Sequence, residues 1–192
     1  MNIIIFGPPL AGKGTQSRKI IADFGLAHLS TGDALRTEKK EGSALGLAAA
    51  EYSKEGLLAP DELVAKVVEK YYLHHKKGNG ILFDGYPRNL AQAKHLMELL
   101  HREKGHIHLI IFLEVPNAIL LERAKKRAAE ENRKDDKDPK IVLRRIEEFE
   151  KLTIPTFEYL KSIDIPTLTI NGDQSVIAIY SEIHDVLNID NI

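Results

Sequence analysis

The sequence has no cysteine, so neither a disulfide nor a thiolate-ligated zinc site can form. It also has no excess of charge of either sign: 27 Lys and Arg face 28 Asp and Glu. That removes the electrostatic footprint of a protein that grips nucleic acid or an anionic membrane surface. No run approaches the roughly 20 apolar residues of a membrane-crossing helix. The start lacks the basic segment and long apolar stretch of a secretory signal. The expectation is a cytoplasmic protein. At 192 residues the chain fits one domain with a substantial core, without internal repeats or low-complexity linkers.

What is present begins at once. Ile3, Ile4, Ile5 and Phe6 read as a buried parallel strand that stops at Gly7 and two prolines. A helical pattern starts near Lys13, with Ile20, Ile21 and Phe24 on one side. Between them lies Gly7-Pro8-Pro9-Leu10-Ala11-Gly12-Lys13-Gly14-Thr15-Gln16. Strand, glycine-rich turn, Gly-Lys and helix make the context of a phosphate-binding loop. The backbone N–H groups of Ala11 to Thr15 can converge on a polyphosphate, helped by the positive end of the helix. Lys13 then reaches the β- and γ-phosphates as a point charge. The hydroxyl follows the lysine by two positions, at Thr15, with Gly14 between.

Further along, strands and helices alternate. Ala27–Ser30 reads as a short strand, with Ser30 or Thr31 capping the next helix. From Leu35 to Ala59 small and polar residues dominate, which predicts a helical excursion outside the central core. A helix starts at Pro60-Asp61-Glu62 and stops near Gly78. Strands are predicted at Ile81–Phe83, His108–Glu114 and Thr167–Ile170, and helices from Asn89, from a cap at Asn117, and over Ser175–Leu187. Residues 128–139 read as an exposed polar loop, and 141–160 as one long amphipathic helix bent near Pro155. This is an α/β fold, a three-layer αβα sandwich around a five-stranded parallel sheet. Gly7, Ser30, Asp84 and Glu114 all fall at carboxyl ends of strands, where such folds bind ligands.

The second signal is a set of arginines near turns: Arg36, Arg88, Arg123, Arg127, Arg133 and Arg144. One alone would read as a surface charge. Moving a phosphoryl group between nucleotides gathers many negative charges, so the protein's task is positioning and neutralisation, which guanidinium groups suit. The histidines, including His74, His75, His95 and His101, lack metal-ligand spacing and read as surface residues.

With these motifs the sequence resembles the adenylate kinase family over essentially its whole length. The Gly-Lys-Gly-Thr-Gln ending of the loop is characteristic of nucleoside monophosphate kinases. The resemblance implies reversible transfer, ATP + AMP = 2 ADP, with Mg²⁺ carried on the nucleotide and no direct protein ligand. It assigns ATP to Leu10, Ala11, Gly12, Lys13, Gly14 and Thr15, with Arg123 and Arg127 leading into a lid. Thr31-Gly32-Asp33 with Arg36 resembles the segment that holds the base and α-phosphate of AMP. Leu57, Leu58 and Ala59 resemble the backbone lining its ribose and adenine. Asp84-Gly85-Tyr86-Pro87-Arg88 matches a motif whose arginine grips phosphate, while Asp84, with Asp33, orients water around magnesium. Gln92 falls where the family's glutamine bonds the AMP adenine, and an amide can match N6 and N1. Arg133, opening Arg-Lys-Asp-Asp, resembles the lid exit, and Arg144 the arginine one helix later; both are assigned to catalysis and AMP. Near the C-terminus, Gln174 stands in the loop expected to touch the ATP adenine.

The implied organisation is a core of 1–29, 60–125 and 137–192, an AMP-binding segment at 30–59 and a short lid at 126–136, acting as a monomer. The departure is Leu10, where the family usually has glycine; the loop is expected to form around it. A UMP/CMP-type kinase is the nearest alternative, and a P-loop switch or binding module that transfers no phosphate is the different-class one.

Overall fold

The computed structural model describes residues 1–54, 57, 59–130 and 138–189. Leu58, Arg133 and the rest of 131–137 lie outside them. Five strands, β1 (Asn2–Phe6), β2 (Ala27–Ser30), β3 (Ile81–Asp84), β4 (Leu109–Glu114) and β5 (Thr167–Asn171), form one parallel sheet ordered β2-β3-β1-β4-β5. Around it run α1 (Lys13–Phe24), α2 (Thr31–Lys40), α3 (Ala44–Lys54), α4 (Asp61–His75), α5 (Leu90–Arg102), α6 (Asn117–Glu130), α7 (Pro139–Glu148), α8 (Ile154–Ser162) and α9 (Val176–Ile189).

The apolar run of β1 is continuous because both faces of this strand are covered. Side chains alternate across a strand, so Ile3 and Ile5 join one core with Ile20 of α1, Leu120 of α6, Val142 of α7 and Ile183 of α9. Ile4 and Phe6 join the other, with Val68 of α4, Leu96 of α5 and Leu160 of α8. The register aligns Ser30 and Ile5 with Asp84, and Glu114 with Asn171. Strand ends that carry the motifs therefore share one edge, at the point where the order reverses across β1. The predicted excursion is α2 and α3, whose buried residues are small (Thr31, Ala49, Ala50), while Leu47 and Tyr52 are exposed.

Three local expectations are corrected. Asn117 is the first residue of α6 and not its cap; its side-chain amide donates to Glu150 Oε1 at 2.9 Å. The polar stretch from Ala128 stays helical to Glu130. The long helix over 141–160 is α7 and α8 joined by a π-helical turn, Phe149–Thr153, closed by Ile154 N–H donating to Phe149 O five residues back. Pro155 sits in the first turn of α8, where a missing N–H leaves nothing unpaired. The irregularity is thus displaced upstream of the proline, into a wide turn of the kind found at functional sites.

Candidate active site

A cavity of about 340 Å³ opens at the carboxyl edge of the sheet. Its walls bring together Lys13 from the phosphate-binding loop, Arg36 from α2, Arg88 after β3, Gln92 from α5 and Arg145 from α7. Sequence-distant cations so close together oppose one another unless anions lie between them.

The loop 7–12 joins β1 to α1 as the sequence predicts. Ala11 N–H donates to Pro8 O at 3.2 Å and Thr15 N–H to Gly12 O at 3.0 Å. Among the described residues the amides of Gly12, Lys13 and Gly14 have no such backbone partner. The Thr15 hydroxyl accepts from Arg18 at 3.5 Å. Gly12 has φ 96 and opens α1. Lys13 folds back, its Nζ donating to Gly7 O at 2.7 Å and Pro8 O at 2.8 Å. The residue is half-buried, but its ammonium is withdrawn from water. Burial pushes its pKa down to about 8, Arg88 and Arg127 add to the fall, and Asp84 opposes it.

Leu10 adopts φ 71, a left-handed backbone that costs a non-glycine residue about 1–2 kcal/mol. Its side chain joins the core beneath the loop, and burying a leucine contributes about 1.5–3 kcal/mol, enough to offset the strain. Two substitutions separate these terms. Leu10→Ala loses the packing and keeps the strain, and is expected to destabilise by about 2–4 kcal/mol. Leu10→Gly is expected to be no less stable than Leu10→Ala in urea unfolding, although glycine elsewhere is worse than alanine by about 0.5–1 kcal/mol. A glycine variant that much weaker than the alanine one would show the backbone to be unstrained.

Asp84 lies at the end of β3, its Oδ2 accepting from Ser17 Oγ at 3.3 Å and lying 3.5 Å from His28 Nε2. Burial alone would raise its pKa; His28, Lys13 and Arg88 outweigh burial and hold the carboxyl below its ordinary range. After it, the backbone turns at Gly85 with φ 78 and a cis Tyr86–Pro87 bond. Gly85 O accepts from Thr31 Oγ1 and from Arg88 Nε, each at 2.8 Å. Burial pushes the Arg88 guanidinium below its ordinary value; Asp84 opposes this, while Arg145 and Arg36 reinforce it. The Arg88 backbone is held on both sides, its N–H by Gln92 Oε1 at 2.8 Å and its carbonyl by Thr153 Oγ1 at 2.9 Å from the π turn.

The remaining predicted residues divide. Leu57, Ala59, Gly85 and Pro87 line the cavity. Tyr86 turns into the core, its hydroxyl 2.8 Å from His95 Nδ1. Arg36 pairs with Asp33, and that ion pair holds the carboxyl of Asp33 down against a partial burial that would raise it. Arg123 donates to Gly172 O at 2.8 Å and to Leu10 O and Ala11 O at 3.4 Å, and its guanidinium lies 3.8 Å from Asp173 Oδ1, so it joins the phosphate loop to the β5–α9 loop. Arg127 lies close enough to act on Lys13 electrostatically. Gln174 is exposed and donates to Asn171 O and Glu182 Oε1.

Arg144 is the misplaced residue. It is exposed on α7 and does not line the cavity, whereas Arg145 does and also faces Arg88. Helical phase carries the signal that motif spacing missed. At 100° per residue Arg145 lies 60° from the buried Val142, while Arg144 points 160° away. Glu148, Phe149 and Thr153, also on the cavity wall, had no sequence signal short of the π turn itself.

Comparison with known proteins bears on this geometry. The chain matches the family model described as adenylate kinase over residues 5–165. It is 38% identical to an adenylate kinase of Phocaeicola vulgatus over 162 residues, 84% of this chain and 85% of that one. It is 35% identical to an adenylate kinase of Bacteroides thetaiotaomicron over 188 residues, 98% of each chain. A third, from Thermoanaerobacter pseudethanolicus, is 35% identical over 214 aligned positions, 97% of this chain and 98% of the relative. That alignment is longer than the 192 residues here, so the relative carries residues this chain lacks.

Proposed function

The chain belongs to the adenylate kinase family, nucleoside monophosphate kinases that interconvert ATP and AMP with two ADP, and from that premise we propose how its residues divide the work. AMP occupies the cavity between α2 and α5, its base toward Gln92 and its phosphate toward Arg36, Arg88 and Arg145. ATP lies along the phosphate-binding loop, its phosphates drawing on the amides of Gly12 to Gly14 and on Lys13, with Arg127 nearby. Thr31, Leu57 and Ala59 border the nucleoside of AMP.

In the transfer, an oxygen of the AMP phosphate attacks the γ-phosphorus of ATP as the bond to the β-bridging oxygen breaks, leaving ADP on each side. No covalent enzyme intermediate is needed. The cations hold the two phosphates in line and match the charge on the transferring group, which is where catalysis of this kind lies. Lys13 exchanges its two carbonyl partners for phosphate oxygens. Mg²⁺ carried on ATP would neutralise the β- and γ-phosphates. Asp84, kept ionised beside Lys13, fits a role in holding water around such an ion. Arg123 contributes by fixing the loop backbone. The arm at 30–59 and the segment 126–136 close over the nucleotides and exclude water, since an open site would hydrolyse ATP. One chain forms both subsites, which supports action as a monomer. No helix among the described residues is long and apolar enough to cross a membrane; the proposed compartment is the cytoplasm.

The observation that carries this reading is the convergence of Lys13, Arg36, Arg88 and Arg145 on one cavity. The test is ADP formation from Mg-ATP with AMP, CMP, UMP or GMP, with a no-acceptor control. Fast turnover selective for AMP is the expected result. Preference for CMP or UMP would overturn the base site, and ATP binding without transfer would overturn the enzyme.

A further inference from the structure

Behind the cavity wall runs a hydrogen-bond relay whose polarity is fixed. Gln92 lines the cavity with 3% of its surface exposed. Its Oε1 accepts from Arg88 N–H at 2.8 Å, and its Nε2 donates to Asp61 Oδ1 at 2.7 Å. The same Asp61 oxygen accepts from Asn89 Nδ2 at 2.8 Å, while Asn89 Oδ1 accepts from Gln92 N–H at 2.9 Å. Backbone N–H groups only donate and an ionised carboxylate only accepts. Neither amide can turn over without setting donor against donor or acceptor against acceptor. Asp61, the first residue of α4, is not itself part of the cavity wall.

We infer that Asp61 is a positioning residue that makes the monophosphate site read adenine rather than a 6-oxopurine, by locking the amide of Gln92 in one orientation. The inference rests on the assignment of Gln92 to the base of AMP. An amide offers two N–H groups and two lone pairs. Arg88 and Asp61 take one of each, so one N–H and one lone pair remain. Adenine presents an N6–H donor and an N1 acceptor. Hypoxanthine presents an O6 acceptor and an N1–H donor at the same two places, the polarity reversed. A locked amide complements the first, and against the second leaves polar groups facing unpaired in a buried site. Without Asp61 only the Arg88 N–H resists rotation of the amide, and the reversed edge becomes acceptable.

The test compares kcat/KM for AMP and for IMP, with Mg-ATP as donor, in the natural protein and in Asp61→Ala, Asp61→Asn and Gln92→Leu. Asp61→Ala is expected to raise KM for AMP and to lower the AMP-to-IMP ratio roughly 10-fold or more, with KM for ATP unchanged. Asp61→Asn retains an oxygen that accepts from both amides, and is expected to restore most of the ratio. Gln92→Leu is the reference that abolishes the discrimination. If Gln92→Leu keeps the ratio, the base-site assignment is wrong and this inference falls with it. If Gln92→Leu loses the ratio and Asp61→Ala keeps it, the base site stands and the role of Asp61 is overturned. Equal changes in KM for ATP and AMP in Asp61→Ala would mark a structural residue and overturn the inference too.

Discussion

Lys13→Ala is expected to lower kcat/KM for ATP by on the order of 10³-fold while the chain stays folded, because the ammonium acts on charge that the fold itself does not hold. Its present partners are two carbonyl oxygens of its own loop, which water can replace. A distinct pH signature accompanies the loss. The ordinary lysine value is 10.5 and the folded one is about 8, lowered first by burial and then by Arg88 and Arg127. The folded state therefore holds this proton less tightly than the unfolded chain. Between about 8 and 10.5 the unfolded chain binds more protons, so this group makes stability rise with pH across that window. Below about 8 its penalty is fully present. Phosphate reverses the preference, since anions beside the ammonium favour its charged form. Nucleotide binding is then coupled to proton uptake, and kcat/KM for ATP is expected to fall as pH rises through about 8. Lys13→Arg stays charged throughout and is expected to lack that falling limb, at lower activity. Profiles from pH about 7 to 10 on both proteins decide the matter. The same limb in Lys13→Arg would assign the titration to another group.

What could be read from the sequence was whatever is written in contiguous residues. The β1 run, Gly-Lys and the α1 start are local, and the phosphate loop follows from strand, turn and helix alone. The cap of α2 is equally local: of the two candidates, Ser30 and Thr31, the side chain of Ser30 accepts from Asp33 N–H, and α5 starts beside Asn89 as its pattern predicts. The Asp84–Arg88 turn was recognised because every member lies within five residues. Readings failed where geometry depends on helical phase or on a partner far along the chain. Motif spacing selects Arg144, whereas the buried Val142 and Ile146 point Arg145 inward. The bend credited to Pro155 sits in a π turn, because the proline's constraint acts on the turn before it. The contacts that hold Arg123, backbone carbonyls 49 to 113 residues away and the carboxylate of Asp173, are likewise beyond the reach of local pattern. The role of Asp61 was hidden for the same reason. As a sequence feature it is an acidic residue in a first helical turn, and its contact with Gln92 spans 31 positions.

Arg88→Ala is expected to cost on the order of 10² to 10³-fold in kcat without lowering the melting temperature of the nucleotide-free protein. The two halves of that expectation have one cause. The Arg88 guanidinium is withdrawn from water and faces Arg36 and Arg145, with Asp84 as its opposing charge. Removing it relieves repulsion and desolvation in the empty site, and Asp84 keeps Lys13 and His28 beside it. When AMP and ATP bind, the same cluster becomes the match for the phosphates, and the missing charge is felt in the transition state. A core residue would behave in the opposite way, losing stability first. A large fall in melting temperature would therefore reclassify Arg88 as structural. On α7, Arg145→Ala is expected to lose roughly 10²-fold in rate and Arg144→Ala to stay within about twofold. The two arginines differ by one position in sequence and by 100° around the helix. Equal losses in both would mean that α7 turns as the lid closes and that the cavity wall described here is not the one AMP meets.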